Sequence, residues 1–269
     1  MNIKKHIPNA ITCCNLLCGC LAIVNIFEGH LIWASYLVVL AAVFDFFDGF
    51  TARLLKVSSP IGKDLDSLAD MVTFGLVPGI MMFFLFNYMS FSRPVGILYT
   101  ADYTSYIAFV IPLFSAIRLA KFNNDPRQTS SFIGLPTPAN AIFFCSIPFI
   151  LKHMIEHQSS ESVNENSSWP YYHVDLFQTS APYLLFNQYK LVWIAITILF
   201  SFLLVAEIPL LAIKFKHFKW KDNEIRYLFL ILSLLLLIIL QLIAIPLIII
   251  LYILISVVSN TLFKAKITS

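Results

Sequence analysis

Long apolar segments recur along most of this 269-residue chain, and short polar turns separate them. Hydrophobic residues make up 59% of the sequence, charged residues make up 12%, and the mean hydropathy is +0.81. A soluble domain has an apolar share of about one half and a charged share of about a quarter, so this chain falls outside that class. A helix needs about 20 consecutive apolar residues to cross a bilayer. The sequence therefore predicts an all-α polytopic membrane protein.

About eight membrane-spanning helices are predicted from these segments. The first six lie at about Ala10 to Phe27, Leu31 to Leu55, Asp66 to Phe91, Tyr103 to Lys121, Pro138 to Met154 and Lys190 to Phe215. From Leu228 to Val258 the chain is almost continuously apolar. At about 1.5 Å per residue this run exceeds a bilayer core of about 30 Å by half. We therefore divide it into two short spans that meet near Gln241 to Pro246, with one tilted, proline-kinked helix as the alternative.

This pattern suggests a division of the chain into two parts. Residues 1–215 would form a six-helix core, and residues 216–269 would form a basic loop followed by a helical hairpin. With eight spans, three of the 18 lysines and arginines lie on the side opposite the N-terminus, namely Arg93, Lys152 and Lys190. Cytoplasmic loops carry the excess of basic residues in membrane proteins, so both termini are expected in the cytoplasm. The net charge of +3 is too small to indicate a nucleic-acid partner.

Four aspartates interrupt the apolar pattern between residues 45 and 70. Asp45 and Asp48 are three residues apart on the second span, and Asp66 and Asp70 are four apart at the start of the third. Either spacing places both side chains of a pair on one face of a helix. Four carboxylates near a bilayer repel one another and resist desolvation, so they require about four compensating positive charges. Two divalent cations supply that charge.

Any one of these aspartates could equally well be solvated at a helix end or paired with a lysine or arginine. The small residues among the acids favour a binding site for the whole group. Gly49, Ala52 and Gly62 lower the side-chain walls where a bulky ligand would approach.

The motif D-x2-D-G-x2-A-R-x8-G-x3-D-x3-D, from Asp45 to Asp70, resembles the signature of the CDP-alcohol phosphotransferases at every fixed position. The resemblance implies a membrane enzyme that transfers a phosphatidyl or related group from a CDP-linked donor to an alcohol. It implies two divalent metal ions, Mg²⁺ or Mn²⁺ with Ca²⁺ also possible, and Asp70 as the general base. The implied metal ligands are Asp45, Asp48, Asp66 and Asp70. The implied residues of the CDP-diacylglycerol site are Asn9, Thr12, Asp48, Gly49, Ala52, Arg53, Gly62 and Asp66.

Three other stretches resemble the integral-membrane phosphatidylserine synthases within that family. They are residues 7–12, 118–123 and 132–141. This resemblance implies CDP-diacylglycerol and L-serine as substrates, CMP as the released product and a homodimer. The aspartate site lies on the same side as the basic loops, so we expect the active site to face the cytoplasm, in a bacterial or archaeal inner membrane.

The implied acceptor-binding residues are Arg118, Lys121 and Asn123. A guanidinium one turn inside a helix end suits a carboxylate or phosphate held by two parallel hydrogen bonds. The alternative for Arg118 and Lys121 is a side chain that snorkels to the membrane interface and sets topology. Asn123 can equally cap the end of its helix.

Two other functions stay open at this point. The first keeps the chemistry but uses glycerol 3-phosphate or an inositol phosphate as acceptor, which requires a denser basic pocket than Arg118 and Lys121 offer. The second is a divalent-cation transporter, which would distribute its acids across the depth of the membrane. The four aspartates cluster toward one face, which favours the enzyme.

Overall fold

Helices form nearly all of the computed structural model, which describes residues 6–57, 60–91, 103–125, 132–158, 188–210, 220 and 223–267. In chain order the helices are α1 (His6–Phe27), α2 (Leu31–Leu54), α3 (Pro60–Asp70), a π-helix (Met71–Leu76), α4 (Val77–Phe91), a 3-10 helix (Tyr103–Phe109), α5 (Val110–Asn124), α6 (Thr137–Cys145), α7 (Ile147–Gln158), α8 (Lys190–Val205), α9 (Glu224–Leu240), a 3-10 turn (Gln241–Ile243) and α10 (Ala244–Ile267). Within the described residues, five helical stretches are long and apolar enough to cross a membrane, and α8 is a shorter apolar helix. The prediction of an all-α polytopic membrane protein is confirmed.

The first two helices form a tightly packed hairpin. Gly29, in the turn between them, has a φ of +80°, a conformation that glycine adopts without steric cost. Ala22 on α1 and Ala34 and Ala41 on α2 are completely buried. Small residues allow helix backbones to approach closely where both helices are surrounded by lipid. The hairpin brings the beginning of α1 beside the end of α2.

The third span begins earlier than the sequence analysis predicts. The predicted start at Asp66 is wrong, because α3 begins at Pro60. Proline is favoured in the first turn of a helix, where its fixed φ is preorganised and its missing N–H would have no partner. Gly62 therefore lies in the first turn of α3.

A π-helix follows α3 directly. It runs from Met71 to Leu76 and then continues as α4. One-turn π segments within α-helices occur frequently at functional sites. This one starts at the residue after Asp70, so the fourth aspartate lies at a change of helical register.

The sixth span is shorter than predicted. The helix expected to reach Phe215 ends at Val205, because Ala206 has extended backbone angles of φ −64° and ψ 139°. Pro209 lacks an N–H and disfavours a helical conformation at the residue before it. Pro209 and Leu210 instead form β2, which pairs antiparallel with β1 (Phe132–Ile133).

Gly134 joins this small ribbon to α6. Its N–H donates to the Ile208 carbonyl at 3.0 Å, and the Leu135 N–H donates to the Leu203 carbonyl at 2.9 Å. The φ of Gly134 is +78°, and a Cβ there would lie 2.5 Å from the Leu204 carbonyl oxygen. The loop before α6 is therefore a fixed connection.

We expect Gly134→Ala to destabilise the fold by about 2 kcal/mol or more, because a left-handed backbone costs a residue with a Cβ on the order of 1–3 kcal/mol. The added methyl group would also press on the backbone of α8. Gly49→Ala is the matched control, since a Cβ at Gly49 meets nothing within 4 Å. Thermal unfolding in detergent micelles measures the difference. Equal midpoints for the two variants would contradict this account of the loop.

The last apolar run folds as two helices. Gln241 has a φ of 51° and a ψ of −132°, which ends α9. The rings of Phe229 and Tyr252 lie 5.9 Å apart, whereas a straight helix would separate them by about 35 Å at about 1.5 Å per residue. The predicted hairpin is confirmed, and the alternative of one kinked helix is wrong. Helix α10 also packs against α6 and β2.

Some predicted features lie outside the described residues. These are most of the residues between the fifth and sixth predicted spans, the predicted boundary between core and C-terminal part at residue 215, and most of the basic loop that is predicted after it. The division into two parts stays a prediction.

Candidate active site

Three carboxylates converge where the end of α2 meets α3. The side-chain oxygens of Asp45, Asp48 and Asp66 lie within 4.8 Å of one another. Asp48 is buried, and the other two are partly exposed. Hard divalent cations such as Mg²⁺ prefer carboxylate oxygens as ligands. The donor set therefore fits a divalent metal ion.

The first helix fixes the orientation of Asp48. Thr12 Oγ1 donates to Asp48 Oδ2 at 2.7 Å, and the same hydroxyl lies 3.1 Å from the Pro8 carbonyl oxygen. A hydrogen bond to a carboxylate is stronger than one between neutral groups. Thr12 thus fixes the position of one carboxylate oxygen of Asp48.

Asp70 lies one turn beyond Asp66 and is 8% exposed. It is not among the three converging acids, although the charges of Asp45 and Asp66 act on it. Asn15 Nδ2 of α1 donates to Asp70 Oδ1 at 3.2 Å. The structure therefore separates the fourth aspartate from the other three and gives it its own hydrogen-bond donor.

Asn15 is a residue of the site that the sequence analysis missed. It is completely buried. A signal was available, because a polar side chain in the middle of an apolar helix is costly in a membrane and commonly marks function. Its partner is 55 positions away in the sequence, and helical spacing along one helix does not reveal such a contact.

Arg118 of α5 points into the protein. It is 7% exposed, so it does not snorkel to the membrane interface. Its Nη1 donates to Thr137 Oγ1 over a long 3.5 Å, and its guanidinium lies 5.3 Å from the centre of the Phe122 ring. The charges of Asp70 and Asp45 act on it. Arg118 therefore stands near the fourth aspartate.

The other two predicted acceptor residues lie in different surroundings. Lys121 is exposed. Asn123 Nδ2 donates to Ser67 Oγ at 2.7 Å, and the Asn123 carbonyl accepts from Lys63 Nζ at 2.9 Å. These bonds tie the end of α5 to α3, and a role of Lys121 or Asn123 in binding the acceptor stays a prediction.

A cavity of about 250 Å³ opens beside the carboxylates. Its lining residues are Pro8, Asn9, Thr12, Asp48, Gly49, Ala52, Val57, Gly62, Lys63 and Asp66. Every residue predicted for the CDP-diacylglycerol site lines this cavity except Arg53, which is exposed. Gly49 leaves space at this wall, because nothing lies within 4 Å of a Cβ placed there.

The family model for CDP-alcohol phosphatidyltransferases matches residues 5–169, which contain every residue of the site described above. The chain belongs to the CDP-alcohol phosphatidyltransferase family. The resemblance that the aspartate motif indicates is confirmed. The family is one of transferases that depend in general on metal ions, and the three converging carboxylates of this member agree with that dependence.

Several curated relatives of this CDP-alcohol phosphatidyltransferase are named CDP-diacylglycerol–serine O-phosphatidyltransferase. The protein from Bacillus subtilis is 37% identical over 136 residues, which are 50% of this chain and 70% of the relative. A Helicobacter pylori protein is 37% identical over 137 residues, 50% of this chain and 54% of the relative. A Methanocaldococcus jannaschii protein is 31% identical over 144 residues, 52% of this chain and 61% of the relative. The match thus spans less than two thirds of the last two proteins.

Proposed function

We propose that this chain transfers the phosphatidyl group of CDP-diacylglycerol to the hydroxyl of L-serine and releases CMP. The observation that carries the proposal is the buried guanidinium of Arg118, on which the charges of Asp70 and of Asp45 in the carboxylate group act. Relatives with this activity in their names match half of the chain, which supports the same choice of acceptor.

Two divalent cations, Mg²⁺ or Mn²⁺, would be held by Asp45, Asp48, Asp66 and Asp70. When bound, they supply positive charge that stabilises the phosphoryl oxygens of the donor and of the departing CMP. The three converging carboxylates support this assignment for one ion, and Asp70 borders them closely enough for their charges to act on it.

The cavity would receive the CDP part of the donor. Gly49 and Gly62 give the nucleotide room, and Lys63 brings a positive charge to the same wall. The lipid chains would stay in the bilayer. This arrangement exposes the phosphorus that carries diacylglycerol to an acceptor arriving from the side of Asp70.

Asp70 would act as the general base. Its carboxylate accepts the proton of the serine hydroxyl while the hydroxyl oxygen forms a bond to that phosphorus. The bond from the phosphorus to the oxygen of CMP breaks, and CMP leaves with the electron pair. Asn15 holds Asp70 Oδ1 and leaves Oδ2 for the proton.

Arg118 would bind the serine carboxylate. A guanidinium matches a carboxylate with two parallel hydrogen bonds. The negative charges of Asp70 and Asp45 act on the guanidinium of Arg118, so a carboxylate bound there would lie close to the proposed base. A phosphorylated acceptor carries a net charge of about −1.5 to −2, whereas serine is neutral overall. The single guanidinium of Arg118 therefore suits serine better than glycerol 3-phosphate or an inositol phosphate.

The excess of basic residues on one side supports an inner-membrane enzyme whose active site faces the cytoplasm, where CMP and serine are soluble. We also propose that the protein forms a homodimer, because the family resemblance implies one.

A panel of acceptors tests the choice of serine. The purified protein in CDP-diacylglycerol micelles with Mn²⁺ is expected to release CMP at least about tenfold faster with L-serine than with glycerol 3-phosphate or inositol 1-phosphate. A tenfold difference in rate corresponds to about 1.4 kcal/mol of activation free energy. The lipid product should co-migrate with phosphatidylserine in mass spectrometry. CMP release that responds to glycerol 3-phosphate and not to serine would reverse the assignment.

The cavity assignment predicts the effect of filling it. Gly49→Leu should raise the KM for CDP-diacylglycerol about tenfold or more, since filling a binding site costs about 1–3 kcal/mol. The KM for serine should change little, and Gly49→Ala is the control because its Cβ meets no neighbour. Steady-state kinetics with each substrate varied in turn measures both constants. A rise confined to the serine KM would place the nucleotide elsewhere.

A further inference from the structure

Two buried polar atoms near Asp70 have no hydrogen-bond partner among the described residues. They are Asn15 Oδ1 and Arg118 Nε. Asn15 is completely buried and Arg118 is 7% exposed. A buried donor or acceptor left unbonded costs about 1–3 kcal/mol. Atoms in this state beside a reactive carboxylate are suited to a ligand that bonds to them.

The chemistry of the two atoms specifies that ligand. Asn15 Oδ1 can only accept a hydrogen bond, and Arg118 Nε can only donate one. Asp70, to which Asn15 is bonded and whose charge acts on Arg118, can accept the proton of a hydroxyl. A small alcohol that carries both an ammonium and a carboxylate group offers a partner to each of the three.

We infer that Asn15 binds the amino group of the acceptor through Oδ1 while its Nδ2 holds Asp70, so that one side chain positions both the base and the amino acid. This inference rests on the proposed function and adds the residue that selects an amino-acid alcohol over other alcohols. Oδ1 and Nδ2 belong to one planar amide, so a group bound at Oδ1 lies beside the carboxylate that Nδ2 contacts.

The hydrogen bond to Asp70 fixes the orientation of the amide. The opposite orientation would set the amide oxygen against a carboxylate oxygen, and two acceptors cannot bond to each other. Nδ2 therefore faces Asp70 at 3.2 Å, and Oδ1 is left for another donor.

The position of Asn15 is also fixed through its backbone. Thr73 Oγ1 of the π-helix donates to the Asn15 carbonyl at 3.2 Å. One turn further along α1, a Cβ at Gly19 would lie 2.5 Å from Thr73 Oγ1. The close approach of α1 to the π-helix thus depends on glycine, and it holds Asn15 in place before any substrate arrives.

If Asn15 binds the amino group, the enzyme should discriminate between an acceptor that has this group and one that lacks it. The ammonium group of L-serine donates a hydrogen bond to Asn15 Oδ1. The analogue 3-hydroxypropionate has the same hydroxyl and carboxylate groups but no amino group. A site built to bond a polar group of its substrate rejects the analogue that lacks it. The ratio of kcat/KM for L-serine to kcat/KM for 3-hydroxypropionate reports this selection, whereas a defect in Asp70 alone lowers both values together.

The test compares three variants of the full-length protein in CDP-diacylglycerol micelles. Asn15→Leu should lower the ratio at least about tenfold, because one buried hydrogen bond is lost. Asn15→Asp keeps an oxygen that accepts from an ammonium, so it should retain a ratio at least equal to that of the unmodified protein, although kcat falls with both acceptors. Asn25→Leu is the control on the same helix, since Asn25 Nδ2 donates to the Leu21 carbonyl of α1.

Each outcome bears on the inference. An unchanged ratio in folded Asn15→Leu, with kcat reduced equally for both acceptors, would show that Asn15 only supports Asp70. If Asn15→Leu does not fold, the smaller Asn15→Ala decides: a ratio lowered at least about tenfold supports the inference, and an unchanged ratio overturns it. An unmodified protein that releases CMP without any response to serine would overturn the proposed function and this inference together. If CMP release depends on serine but the ratio is the same in the unmodified protein and in the Asn15 variants, the inference alone is overturned.

Discussion

Asp70→Asn is expected to lower serine-dependent CMP release at least about a hundredfold, the lower end of what a general base contributes. An asparagine has nearly the same shape as aspartate and can still accept from Asn15 Nδ2, so the fold should be retained. It cannot take the proton of the acceptor hydroxyl. CMP release at saturating serine and CDP-diacylglycerol measures the effect, and size-exclusion chromatography confirms the folded state.

Asp64→Asn is the matched control for this prediction. Asp64 is on the same helix as Asp70 but is exposed to the surroundings. Its substitution removes one negative charge from α3 without touching the carboxylates of the site. Turnover within about twofold of the unmodified enzyme is expected for Asp64→Asn, a surface change. Near-normal turnover of Asp70→Asn would exclude Asp70 as the base.

Removal of divalent cations is expected to have the second large effect. Chelation with EDTA should reduce CMP release by about a thousandfold, since a bound metal ion contributes several kcal/mol of charge stabilisation in the transition state. Addition of Mn²⁺ or Mg²⁺ in excess of the chelator should restore the rate. Full activity in the presence of the chelator would contradict a metal-dependent transfer.

The double variant Asp45→Asn, Asp48→Asn links this effect to the carboxylate group. Only one of the three converging acids remains in it, so Mn²⁺ affinity should fall at least about a hundredfold, as expected when two charged ligands are lost. Electron paramagnetic resonance of free Mn²⁺ measures the affinity, with Asp64→Asn as the control. Unchanged binding in the double variant would place the metal site elsewhere.

The convergence of Asp45, Asp48 and Asp66 can be predicted from the sequence because the information is local, whereas the separate position of Asp70 cannot. The three-residue spacing of Asp45 and Asp48 places both on one face of α2, and the short connection to α3 brings Asp66 to the same end of the helices. The same reasoning identifies the small residues Gly49, Ala52 and Gly62, which line the cavity. The hairpin of α9 and α10 follows from length alone, since the apolar run is too long for a single span.

What the sequence does not predict depends on contacts between distant parts of the chain. Asn15 meets Asp70 only because α1 packs against α3 and the π-helix. The change to π-helix after Asp70 has no local pattern that helical periodicity detects. The end of α8 at Val205 is stabilised by the pairing of β2 with β1, whose residues lie more than 70 positions earlier. The start of α3 at Pro60 was open to prediction, because proline is common in the first turn of a helix.

A structure determined with Mn²⁺ and L-serine tests the central claim most directly. The account predicts anomalous density for Mn²⁺ between Asp45, Asp48 and Asp66, and a serine molecule whose hydroxyl lies within hydrogen-bond distance of Asp70 Oδ2. Mn²⁺ bound away from these carboxylates, or serine bound on the far side of the protein from Asp70, would contradict it.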